Sequence, residues 1–207
     1  MNQQWLTILM SKGIELEQNL RSQLQTAKEG IKTQLESRGI KLNPADLAAL
    51  IEDVSPNASN SALSYALDLL RPFSAGMGLR VSRLSDTQVE MVIPAKTRNM
   101  TENETLHEGA LTTAAMEAAK LLWMRHALMG VFDVQITDVK AQFLKSEKTD
   151  CRVRLELSEQ ERELALGQVR DTRQGRSEME VKIFDEQDQL VAEFVMTANL
   201  THTPALA

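Results

Sequence analysis

Cysteine is almost missing from this sequence: Cys151 is the only one in 207 residues. An intrachain disulfide and a thiolate zinc cluster are thereby excluded, and with no secretory signal beside it the expected compartment is the reducing cytoplasm. Positive charge is not in excess either. The 23 lysines and arginines are outnumbered by 29 aspartates and glutamates, giving a formal net charge of -6. Nucleic acid is therefore not an expected partner, since phosphate binding needs clustered cations. The opening MNQQWLTILMSKG lacks a basic n-region and has only a short apolar run before Lys12, so export by a signal peptide is not expected. An uninterrupted apolar span is absent too. The longest, Ala110 to Phe132, contains Glu117, Lys120, Arg125 and His126, each costly in lipid, and is predicted to be a core helix with no transmembrane segment in the chain. Internal repeats, low-complexity tracts and dinucleotide-binding fingerprints are all lacking.

What remains is the composition of a packed globular protein, 43% hydrophobic and 25% charged, at a length suited to one domain with an appendage. The appendage comes first. Leu9, Gly13, Leu16, Leu20, Leu24, Ala27, Ile31 and Leu35 recur at helical spacing and Gly39 stands where a C-terminal cap belongs, which predicts a long amphipathic helix. Asn43-Pro44 opens a short second helix and Ala62 to Leu70 a third, which must stop before Pro72.

After Pro72 the period changes to two. GLRVSRLS and TQVEMVIP are predicted to form an antiparallel hairpin about Ser85 and Asp86. A helix from about Gly109 to Met129 follows, then the strand-like runs VQITDVKAQFLK, CRVRLELS, SEMEVKIFD and LVAEFVMTANLT. SEQERELALGQV, between the second and third of these, is predicted to be a short inserted helix. Ala110, Ala114, Ala115, Ala118 and Ala119 would let a sheet close on the central helix, with Leu121, Leu122, Trp123 and Met124 supplying bulk.

This order resembles the hotdog-fold superfamily, in which a curved antiparallel sheet wraps a central helix, and within it a bacterial thioesterase-like branch. The segments that carry the resemblance are PFSAGMGLRV, NMTENETLHEGAL and GRSEMEVKIFDEQDQLVAEF. It implies an α+β hotdog domain over 69–207 behind a helical N-terminal extension over 1–68. It also implies an acyl-CoA or acyl-carrier thioester substrate, a homodimer or higher homo-oligomer, and no cofactor beyond the coenzyme A of the substrate itself.

The resemblance places the site at the start of the central helix. His107-Glu108-Gly109 matches the first and last residues of a His-Gly-Gly loop. Glycine there has a physical reason, because a thioester carbonyl must approach backbone N–H groups at the positive end of a helix. Gly109 is the expected oxyanion donor, and His107 the residue that orients thioester or water. Glu117 is the expected base or nucleophile, one position beyond the usual one, where Met116 stands, a shift of about 100° around the helix. A surface ion pair with Lys120, three residues on, is its plainer explanation. Asn99 and Asn103 are expected to serve the loop's turns. Lys140, Lys145 and Arg98 are the cations considered for coenzyme A phosphates, but such residues are usually just solvated and none is assigned that role. Two other readings stay open: a non-catalytic acyl-binding or assembly protein, and an acyl dehydratase, which lacks support from the position of His107.

Overall fold

The computed structural model describes residues 64, 73–126 and 132–202. The expected N-terminal helices, the boundary between 68 and 69, and the end of the central helix beyond His126 lie outside the described residues.

Alternation of apolar and polar residues turns one face of each strand toward a common core. The predicted hairpin is β1 (Arg80–Leu84) and β2 (Gln88–Ile93), closed by Ser85 N–H on Gln88 O at 2.8 Å. Then come α1 (Glu108–His126), β3 (Phe132–Phe143), β4 (Cys151–Glu156), α2 (Glu159–Thr172), β5 (Gln174–Phe184) and β6 (Leu190–His202). The six strands form one sheet in the order β1-β2-β4-β5-β6-β3, with every neighbouring pair antiparallel. Between β2 and the far edge at β3 the chain crosses on α1, which touches β2, β3, β4, β5 and β6. A six-stranded antiparallel sheet spanned by one apolar helix is the hotdog arrangement that the sequence implied.

The alanines do the expected work. Ala114, Ala115, Ala118 and Ala119 are all fully buried, as are Leu122 and Trp123, and the Trp123 indole N–H is satisfied by Met179 Sδ at 3.1 Å. Between Leu111 and Met124, only Thr112, Thr113, Met116, Lys120 and Met124 are partly exposed, a single stripe along the helix. Toward the end of its described span Arg125 Nε donates to Asp86 Oδ1 at 2.7 Å. That bond is the chief reason the Asp86 carboxyl lies below its usual range.

Two irregularities shape the sheet. A bulge between Ile136 and Asp138 shifts the register of β3 on β6, and it keeps Val139 in phase with Val134 and Ile136, so that all three pack on the core. The inserted helix α2 starts on a complete capping box, with Ser158 accepting from Glu161 N and Glu161 returning the bond, and stops at Arg173 in the left-handed region.

Candidate functional site

The segment between β2 and α1 is fixed by Asn99. Its side chain is fully buried, and Nδ2 donates to Met77 O at 2.9 Å and Pro94 O at 2.8 Å. Its own backbone oxygen accepts from His107 N at 2.8 Å. One amide therefore ties the turn before β1, the end of β2 and the entry to α1 together. Asn103 does what was expected of both asparagines: it lies exposed in the Thr101–Thr105 turn, with its N–H on Thr101 Oγ1 at 3.2 Å. From the far side, Leu106 N–H donates to Glu147 O at 2.7 Å, so the β3–β4 connection buttresses the same loop.

His107 caps the helix with its ring. Gly109 N–H donates to His107 Nδ1 at 2.8 Å, which requires the imidazole to carry no proton on Nδ1. Ala110 and Leu111 N–H both reach His107 O, at 2.8 and 3.1 Å. Of the four N–H groups that a helix start leaves without intrahelical partners, three are thus taken, including the one on Gly109 expected to hold an oxyanion. Glu108 N–H makes no hydrogen bond among the described residues. It is the donor left open, a role that local sequence gave no reason to assign to it.

A cleft of about 270 Å³ opens beside this helix start, lined by Leu106, Glu108, Leu111, Phe143, Leu144 and Lys145 among others. Leu106, Leu111, Phe143 and Leu144 share its walls with the polar Glu108, Lys145 and Ser146. Phe143 and Leu144 are 42% and 45% exposed at its margin, and Phe143 stands edge-on to Phe194 with ring centroids 5.7 Å apart. The volume is just below the roughly 300–1,000 Å³ usual for small-molecule pockets.

Glu117 is not among the residues lining that cleft. It is 5% exposed, turned toward the core side of α1, whereas Met116 lies on the half-exposed stripe. Eight residues separate Glu117 from Gly109, about 12 Å along the axis, although helical side chains lean toward the N-terminus and shorten that gap. The ion pair with Lys120 is not formed among the described residues. Of the consecutive residues His107, Glu108 and Gly109 only Glu108 lines the cleft, and Glu117 lies deeper along the same helix.

Of the three cations weighed for phosphate, Lys145 is bound to the carboxylates of Asp185 and Glu147. Lys140 lies on β3 in a groove shared with Glu180, Lys182 and Glu193. Arg98 lies on the loop that leads to the site. Among the described residues no group of three or more His, Cys, Asp or Glu is placed to hold a metal ion, and no helix is long and apolar enough to cross a membrane.

Residues 59–200 match the family described as a domain of unknown function, DUF4442. No curated protein matches the chain. Solved structures that resemble it include a Pseudomonas aeruginosa protein of unknown function described as a probable thioesterase. That protein is 21% identical with a TM-score of 0.62, over 69% of this chain and 96% of the other. A Haemophilus influenzae thioesterase is 15% identical with a TM-score of 0.55, over 69% and 90%. A Staphylococcus aureus thioesterase variant is 16% identical with a TM-score of 0.51, over 62% and 97%. At these identities the likeness is one of fold.

Proposed function

Because the chain belongs to the DUF4442 family and shares its hotdog fold with solved thioesterases, we propose that it hydrolyses acyl thioesters at the start of α1. The observation that carries this reading is a cleft of mixed lining, with an apolar margin at Phe143 and Leu144, set against an open backbone donor. Phe143 and Leu144 offer an exposed apolar surface to an acyl chain, with the buried Leu106 and Leu111 behind them. Glu108 N–H, at the positive end of a 19-residue helix, is suited to a carbonyl oxygen as it gathers charge.

In the reaction, water adds to the carbonyl carbon while its proton passes to the Glu117 carboxylate. The C–S bond of the resulting tetrahedral species then breaks, and that proton goes to the departing sulfur. His107 controls a second donor, since turning its ring away releases Gly109 N–H to the same oxygen. The support for Glu117 is its place, a buried ionisable group on the helix that also forms the cleft. The reading uses coenzyme A only as the carrier of the substrate and needs no metal or redox group.

Thiol release from short, medium and long acyl-CoA substrates tests it. Glu117→Gln keeps size and removes the proton acceptor, and turnover should fall by about 100-fold or more with the fold intact. Near-wild-type turnover in that variant would remove Glu117 from the mechanism, and a loss in Glu108→Gln would then move the base to the cleft. A second reading, acyl binding without hydrolysis, has its own observations: Gly109 N–H is occupied by His107, and the half-exposed stripe carries Met116 where a carboxylate is usual. Binding of acyl-CoA without release of thiol from any chain length would favour it. Hydration of an enoyl thioester would favour a dehydratase instead.

A further inference from the structure

Two cations on the loop of the site lie over the glycine turn before β1, and we infer that they hold the diphosphate of a coenzyme A thioester. The inference rests on the thioester reading above. Gly76 (φ +81°) and Gly78 (φ +66°) both adopt backbone that L side chains rarely take, and in each case a cation fills the space a Cβ would need. Arg98 Cδ and Nε come within 3.2 and 3.3 Å of a Cβ built on Gly76, and Lys96 Nζ overlaps one built on Gly78. The two glycines are at most about 7 Å apart along the chain, so guanidinium and ammonium gather on one turn.

Both cations are exposed, and neither meets a carboxylate among the described residues. Arg80, Arg125, Lys145, Arg152, Arg154 and Arg162 each do. In a chain with a net charge of -6, two adjacent cations with no carboxylate on them among the described residues are a place where an anion gains without displacing a partner. They are also held in position. Asn99, next to Arg98, bonds Met77 O inside the glycine turn and takes His107 N–H at the helix start, so the cations and the open donor belong to one hydrogen-bonded unit. A guanidinium fork beside a point-charge ammonium suits adjacent phosphates, and a thioester seated at α1 has this loop beside it for its carrier.

The test compares acyl-CoA with the matching acyl N-acetylcysteamine thioester, which has no phosphate. Lys96→Gln/Arg98→Gln should raise KM for acyl-CoA by about tenfold or more, leave kcat in place, and spare the N-acetylcysteamine substrate. The charge-preserving Lys96→Arg/Arg98→Lys should keep most of the affinity. An unchanged KM for acyl-CoA, or equal losses on both substrates, would overturn the inference. If the wild type hydrolyses neither substrate, the thioester reading fails separately, and calorimetry with free coenzyme A decides this one. Binding that weakens about tenfold in the Gln variant and falls with salt supports it; equal or absent binding overturns it.

Discussion

Cys151 shows how a residue's chemistry follows from its surroundings. It is fully buried on β4, and burial first, then the Glu147 and Asp185 carboxylates, push its thiol up to about 12. The thiolate is the reactive form, so a disulfide reagent at pH 8 should leave native Cys151 unmodified. Stoichiometric modification within minutes and without denaturant would contradict this. The folded value lies above the unfolded one, about 8.5. The stability that the neutral thiol contributes is therefore present below that pH and is lost as pH climbs toward 12. The sequence made Cys151 legible as a lone thiol, but its neighbours come from other strands and loops. The asparagines teach the same lesson. Asn99 and Asn103 look alike in the sequence, yet only Asn99 reaches Met77, 22 residues away, and no local pattern carries that contact. The His107 cap on Gly109 was equally hidden, because it depends on one rotamer at a helix start.

At the scale of elements, α2 was the easiest to read and β3 the hardest. Ser158 and Glu161 stand at the spacing of a capping box, so the start of α2 could be taken from residue types alone. Its docking is just as specific. Gly175 is buried in β5 under α2, and a Cβ there would come within 2.6 Å of Ala165 O and 2.7 Å of Val169 Cγ2. Backbone cannot retreat as a flexible side chain does, so Gly175→Ala should lower unfolding stability by about 1–3 kcal/mol. Denaturant titration would measure it, and an unchanged midpoint would mean that α2 sits more loosely than this contact requires. The bulge in β3 left only a faint mark in the sequence, two successive polar residues, Thr137 and Asp138, in an alternation that resumes out of phase at Val139. The central helix was legible in existence and in its alanine face. Which way Glu117 and Met116 turn was not, because that depends on where the helix starts and how the sheet closes on it.

Among the described residues the sheet ends at β1, of five residues, and at β3, of twelve, and the longer edge has unfinished business. β3 is the last strand of the sheet and pairs only with β6 along its 12 residues, so among the described residues its outer row of N–H and C=O groups has no strand beside it. Such edges invite another strand unless they are short, charged or covered. This one is long, carries only Asp133, Asp138 and Lys140 as charges, and runs into the exposed Phe143 and Leu144 at the cleft. A second copy adding its β3 about a two-fold axis would continue the sheet and bring cover to those side chains. It would also deepen a cleft that is small for an acyl ligand when formed by one chain. The expected state is therefore a homodimer whose pockets are finished at the interface. Sedimentation should give a dimer at micromolar concentration, and Phe143→Glu with Leu144→Glu should shift it toward monomer and lower affinity for acyl ligands. Both side chains are already about half exposed in one protomer, so the monomer formed should keep its secondary structure. A wild-type monomer under the same conditions would rule the interface out, and a mutant that stays dimeric would move it away from this end of β3.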